Sequence, residues 1–195
     1  MEKTVPPGRV KGTVTPPCSK SYAQRALAAA LLSEEPTVLR NLEFCDDTRS
    51  ALRCIETLGA RVEQVDPTSL SIKGGLNPRG NRLDVGESGL STRLFTPVAS
   101  LCPTPIAIEG RGSLLKRPMT MMLDPLRQLG VTVRDNGGFL PIEVCGPIHG
   151  GGVAVARSVS TPFNTGPRIT LPPAQRDAPP HAHNAVPPPH PRRTL

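Results

Sequence analysis

Two short strings of this sequence set cations where helices should begin. In "PPCSKSYAQRAL", residues 16–27, Lys20 and Arg25 flank the first turn of an Ala/Leu-rich stretch, and in "GRGSLLKRPM", residues 110–119, Lys116 and Arg117 stand just before Pro118, a residue suited to the first helical position. The N-terminal end of a helix is the positive end of its dipole, so each cation there is unfavourable by roughly tenths of a kcal/mol. An anion would reverse that conflict. Backbone N–H groups, the hydroxyl of Ser19 or Ser21, an ammonium and a guanidinium can all converge on one phosphate or carboxylate. The alternative is a solvated first turn whose cations point into water.

A third junction carries the same theme. In "ESGLSTRLF", residues 87–95, Gly89 and Arg93 occupy the places that Ser21 and Arg25 hold in the first string. Gly89 would let a ligand approach the backbone closely, or would simply make a tight turn. Arg93 reads either as a ligand contact or as one half of an internal ion pair. Three such junctions suggest one surface for anionic groups, with arginine offering bidentate geometry.

The elements that must position these residues follow from periodicity. Ala23, Ala26, Leu27, Ala30 and Leu31 form a helical stripe starting near Ser19 or Ser21, where Ser21 and Gln24 fit a capping box. "TVLRNL" reads as a strand; Asp46 and Asp47 then precede a second stripe of Ala51, Leu52, Ile55 and Leu58, closed by Gly59. "ARVEQV" and "LSIK" are strands joined by "DPTS". The order then recurs. "RLDV" is a strand and "GESG" a glycine loop, followed by a helix bearing Leu94, Phe95, Val98 and Ala99; next come the strand "PIAIEG", a helix with Met119, Met122, Leu123 and Leu126 closed by Gly130, and a hairpin around "DNGG". Met121 falls off that last stripe. "TLGARV" at 57–62 and "QLGVTV" at 128–133 hold equivalent places, so an α/β unit of about 70 residues is repeated twice.

A third copy begins at "GGVAVARSVSTPFNTG" and fails. Ten of the 24 prolines lie in the final 43 residues, a density that forbids helix continuation and interior strands. The stretch "PPAQRDAPPHAHNAVPPPHPRRTL" is expected to be extended and largely disordered. The abrupt change reads as a truncation or an altered tail relative to a longer parent.

Composition narrows the function classes. The formal charge is +7, but from Val153 onward five arginines against one aspartate supply +4, leaving an ordinary +3 for the first 152 residues. With no basic stripe interleaved with aromatics, nucleic acid is not the expected partner. Cys18, Cys45, Cys54, Cys102 and Cys145 are odd in number and lack a CxxC pair, which favours reduced thiols over a disulfide framework or a zinc site. No apolar run approaches the roughly 18 residues of a membrane span and the N-terminus has no apolar leader, so the expectation is a soluble, cytoplasmic protein without a membrane partner. His181, His183 and His190 sit in the proline-rich tail with nothing to orient them on a metal, and His149 reads as a loop residue.

"PPCSKSYAQRALAAALL", "GESGLSTRLF" and "LLKRPM", in this order and spacing, resemble the enolpyruvyl transferases of the shikimate pathway, 3-phosphoshikimate 1-carboxyvinyltransferase (EPSP synthase), from about Pro6 to Phe163. The related UDP-N-acetylglucosamine enolpyruvyl transferases share the fold but would not be expected to show Ser21 and Arg25 in this arrangement. The resemblance implies an α/β fold of βαβαββ units with helices inside and sheets outside, an inside-out α/β barrel. On this pattern residues 1–15 are a first strand belonging to the other domain, 16–152 are two complete units of the substrate-binding domain, and 153–195 are an incomplete third unit with a disordered tail.

The resemblance also implies roles. Lys20 would contact both phosphoenolpyruvate and shikimate 3-phosphate; Ser21 and Arg25 would hold shikimate 3-phosphate; Gly89 and Arg117 would hold phosphoenolpyruvate; and Ser160 and Thr161 match a Ser-Ser-Gln stretch that binds the shikimate phosphate. No cofactor or metal is implied, and a monomer is expected. The departures are Glu87 and Leu90, where better-known members have Asn and Thr, and Pro162 in place of the glutamine, which removes a donating amide. The family's acid and base groups would lie beyond residue 195. The expectation is therefore an enolpyruvyl-transferase half-site with negligible turnover by itself. The competing class is a non-catalytic anion-binding or interaction module on the same fold.

Overall fold

The computed structural model describes residues 16–148, together with Thr4, residues 8–9 and residues 11–14. The predicted third unit, the tail and Ser160 and Thr161 lie outside the described residues. So does the greater part of the predicted first strand.

The first unit runs α1 (Lys20–Leu31), β1 (Thr37–Leu39), α2 (Asp46–Thr57), β2 (Arg61–Asp66) and β3 (Ser69–Lys73). The second runs β4 (Arg82–Asp84), α3 (Gly89–Ala99), β5 (Ile106–Glu109), a short 3-10 turn η1 (Gly112–Lys116), α4 (Thr120–Gln128), β6 (Thr132–Asn136) and β7 (Phe139–Cys145). Among the described residues the first sheet has the antiparallel order β1-β3-β2, and the second has the order β4-β5-β7-β6 with β4 and β5 parallel. The shared pattern is the repeat: β1-β3-β2 corresponds to β5-β7-β6, and α3 is the crossover that the parallel β4–β5 pair requires.

The two helix ends 71 residues apart show why the repeat was legible. After α2, Gly59 donates to the Glu56 carbonyl and Ala60 to the Ile55 carbonyl, at 3.1 and 2.9 Å; after α4, Gly130 donates to Arg127 and Val131 to Leu126, at 3.0 and 3.1 Å. Both are Schellman closures. Gly59 and Gly130 have φ of 121° and 82°, a region that costs a side-chain-bearing residue, so glycine is needed at both ends.

The helices pack inward on one continuous core. Phe95, Leu27, Leu31, Ile55, Leu58, Ile72, Leu83, Leu94, Ile106, Ile108 and Leu114 are fully buried, each contributing about 1.5–3 kcal/mol by burial. Helix α3 is buried almost all round despite its hydroxyls, because Thr92, Thr96 and Ser100 donate to the carbonyls four residues back, at 3.0, 2.7 and 2.9 Å.

Two local expectations are corrected, and the choice between Ser19 and Ser21 is decided. Gln24 forms no capping box; it is buried with Ala28, while Ala26 is only half-buried, so the inward face of α1 is turned relative to the predicted stripe. Ser19 is the N-cap, although its side chain makes no capping bond. Pro118 is not the first residue of α4, since η1 intervenes and Met119 is the N-cap, with its N–H donating to the Gly138 carbonyl at 2.7 Å.

Candidate functional site

The N-terminal ends of α1, α2 and α3 meet, and buried polar contacts hold them there. Gln24, on the second turn of α1, accepts hydrogen bonds at its Oε1 from the hydroxyls of Ser88 and Ser91, both at 3.1 Å. Ser88 is the N-cap of α3 and also accepts from the Ser91 N–H at 3.2 Å. Gln24, Ser88 and Ser91 are all buried, so each bond replaces contact with water and the start of α3 is fixed beside α1.

At the α1–α2 junction, Lys20 occupies the first helical position and its Nζ lies 3.2 Å from Oδ2 of Asp47 in the first turn of α2. The Asp47 carboxylate, by hydrogen bond and by charge, holds Lys20 above the usual lysine range. This supplies inside the chain part of the compensation that the sequence lacks locally. Arg25 lies back along α1, its Nη1 donating to the Ser21 carbonyl at 2.9 Å. The first turn of α1 holds no acidic residue and its N-cap hydroxyl does not cap, so its leading N–H groups face outward beside an ammonium.

The α3 junction is set by a different device. Glu87 Oε2 accepts from the Ser113 N–H at 3.2 Å and from the Ser113 hydroxyl at 3.3 Å, tying the loop before α3 to the start of η1. Gly112 has φ of 58°, and a Cβ there would collide with the Glu87 carboxylate. Leu114 is fully buried beneath this turn. The chain then leaves η1 with Arg117 directed at α3: a Cβ at Gly89 would lie 3.3 Å from Arg117 Nη1. Gly89 thus leaves room for the guanidinium at the first turn of a helix.

Arg93 stands on the same face as Gly89, one turn further along α3. Counted from the N-caps, it matches Gln24 rather than Arg25, one place off the correspondence read from the sequence. Its ion-pair reading finds no support, because no carboxylate pairs with it among the described residues. Burial, and then the like charge of Arg117, push its guanidinium below the usual arginine range.

The structure therefore brings Lys20, Ser21 and Arg25 together on α1 and places Gly89 with Arg117, the two groups being joined through Gln24. Lys20 and Arg117 are exposed, while Ser21, Arg25 and Gly89 are half-buried. Sequence reasoning missed Gln24, Asp47, Glu87 and Ser113. Asp47 had a signal, since two aspartates opening a helix can serve a neighbouring cation as well as their own dipole. Glu87 had one too, as a carboxylate in a glycine loop needs a donor. A cavity of ≈ 800 Å³, lined by residues that include Phe44, Arg49, Val62 and Leu70, has none of the predicted site residues in its lining. Its one cation is engaged, with Arg49 Nε donating to the Phe44 carbonyl at 3.0 Å and the guanidinium 5.7 Å from that ring.

Comparison with known proteins gives one answer. The family model for EPSP synthase (3-phosphoshikimate 1-carboxyvinyltransferase) matches residues 4–194. The chain is 36% identical over 155 residues to the 3-phosphoshikimate 1-carboxyvinyltransferase of Caldivirga maquilingensis, covering 80% of this chain and 37% of that protein. It is 37% identical over 169 residues to the enzyme of the same name from Halobacterium salinarum, covering 85% and 39%. A solved EPSP synthase from Acinetobacter baumannii superposes with a TM-score of 0.76 at 25% identity, over 93% of this chain and 41% of that one. The chain spans about two fifths of the length of these relatives.

Proposed function

Because the chain belongs to the EPSP synthase family, we propose that its converging helix starts hold the two substrates of an enolpyruvyl transfer, phosphoenolpyruvate and shikimate 3-phosphate. In this reading Ser21 and Arg25 hold shikimate 3-phosphate and Gly89 and Arg117 hold phosphoenolpyruvate. Lys20, at the start of α1, touches both. Ser160 and Thr161 complete the shikimate phosphate site. The observation that carries the reading is the placement of Arg117 against Gly89 at the start of α3, with α1 bonded alongside through Gln24.

The reaction joins the 5-hydroxyl oxygen of shikimate 3-phosphate to C2 of phosphoenolpyruvate as the hydroxyl gives up its proton and C3 gains one; the tetrahedral intermediate then loses phosphate from C2 and a proton from C3, restoring the double bond. The described residues contribute charge and position: cations and helix N–H groups neutralise the two phosphates and hold the reacting atoms at a fixed separation. Proton transfer needs groups within hydrogen-bond reach of the 5-hydroxyl and C3. Two carboxylates at this site are engaged within the chain, Asp47 with Lys20 and Glu87 with Ser113. As the family resemblance implies, the acid and base are expected beyond residue 195, so these 195 residues alone are expected to turn over negligibly. The same reading makes the protein a monomer acting on soluble small molecules in the cytoplasm; no helix among the described residues is long and apolar enough to cross a membrane.

Calorimetric titration of shikimate 3-phosphate into the chain, with an Arg25→Ala variant alongside, tests this. Saturable binding that the variant loses is the expected result. A folded chain that does not bind would favour a non-catalytic module.

A further inference from the structure

Among the described residues, Arg93 Nε is the one buried side-chain nitrogen or oxygen without a hydrogen-bond partner. Folding normally pairs such a group, and an orphaned donor on a charged side chain calls for a physical reason. Its surroundings make it more unusual. Arg117 is the charge that bears on Arg93, and neither guanidinium has an ion-pair partner among the described residues. Gly89 shares a helix face with Arg93, one turn away, and a Cβ at Gly89 would lie 3.3 Å from Arg117 Nη1, so both cations belong to the start of α3.

We propose that Arg93 is a second cation of the anion site at Gly89, a binding residue that acts with Arg117 on a single phosphate group and whose Nε–H is the donor reserved for it. The proposal rests on the reading that Gly89 and Arg117 hold phosphoenolpyruvate, and it adds a residue to which neither the comparisons nor the family pattern quoted above gives a role. Two guanidiniums suit a phosphate, which carries close to two negative charges at neutral pH and several acceptor oxygens; a carboxylate would balance only one of them. The anion also accounts for the cost of the unliganded arrangement. Two like charges at one helix start destabilise the protein by itself, and a phosphate would remove both the repulsion and the unmade hydrogen bond.

The test uses the 195-residue chain with phosphoenolpyruvate and inorganic phosphate as probes, titrated calorimetrically at several salt concentrations, and thermal melts in phosphate-free buffer. Arg93→Met keeps the apolar stem and removes the charge. It is expected to lower affinity for both probes at least tenfold and to flatten the salt dependence of binding. Affinity for shikimate 3-phosphate should stay within threefold, and the Tm of the ligand-free chain should rise. A residue that merely supported the fold would do the opposite in the melt. Loss of Tm together with parallel loss of both substrates would therefore overturn the proposal.

Wild-type affinity in Arg93→Met, with affinity lost in Arg117→Met, would also overturn it while leaving the wider reading intact. Unchanged binding in both variants, or no binding by the wild-type chain, would remove the wider reading and this proposal with it. Should Arg93→Met not fold, Arg93→Lys decides: it keeps the charge and loses the planar donor. Several-fold weaker binding with an unchanged salt slope is then expected, and wild-type affinity would overturn the proposal.

Discussion

The two units place the same backbone around opposite electrostatics. In the first, Lys20 opens α1 and the next helix answers it with Asp47; in the second, Arg93 and Arg117 gather at α3, and the first turn of α4, the counterpart of α2, contains no acidic residue. Counted from the N-caps, Met121 stands where Asp47 does. The Schellman closures and sheet orders show how closely the backbone is repeated. Two copies of one unit can thus diverge in charge through a few residues at helix starts, because those positions lie outside the core that fixes the fold. The difference teaches that the first junction carries part of its counter-charge within the chain, whereas among the described residues the second pairs neither Arg93 nor Arg117 with a carboxylate.

The comparison can be broken at its hinge. Gln24→Ala removes the shared acceptor of two buried hydroxyls, and about 2–4 kcal/mol of stability should go with it. Chemical denaturation measures this; a loss below about 0.5 kcal/mol would mean that α1 and α3 are not held together by Gln24. Next in size, Arg117→Ala should weaken phosphoenolpyruvate binding by about 10- to 150-fold, the worth of a charge-assisted hydrogen bond. Lys20→Ala should cost less, because in the free chain part of that charge is already spent on Asp47.

Gly112→Ala would force a side chain into left-handed backbone against Glu87, for about 1–3 kcal/mol of strain. A melt measures the strain. A parallel fall in phosphoenolpyruvate affinity would show that the Glu87–Ser113 tie aims Arg117, and unchanged affinity would show that it does not. The smallest effect belongs to Asp47→Asn. The raised pKa of Lys20 means that its pairing stabilises the fold below the ordinary lysine pKa and is lost as pH rises through the folded-state value. For so exposed a pair the variant should cost no more than about 1 kcal/mol, all of it below that window. NMR titration of the Lys20 ε-methylene signals should then show the pKa falling.

Much of the fold was legible because it rests on period and punctuation. Stripes such as Ile55/Leu58 and Leu123/Leu126 marked inward faces, and Gly59 and Gly130 marked the helix ends that made the repeat visible. The cations at the helix starts stood out in the sequence as local rules broken there. What the sequence hid was pairing across distance. Nothing near Gln24 shows that its amide would meet hydroxyls 64 and 67 residues away, and a capping box was the nearest local use for it. Asp47 already had a role in its own helix, which masked its contact with Lys20. Arg93 could be read two ways from the sequence, and its ion-pair reading fails only because no carboxylate among the described residues reaches it. The 3-10 turn η1 escaped because five residues carry too little periodicity to register, and with it went the actual start of α4.

The central claim, that the α3 junction is an anion site completed by Arg93 and Arg117, is tested most directly by NMR of the isotopically labelled chain during titration with phosphoenolpyruvate. The account predicts saturable shifts of the Gly89 amide and of the Nε–H signals of Arg93 and Arg117, all fitting one dissociation constant. Shifts that leave these three signals in place, in a chain that remains folded, would contradict it.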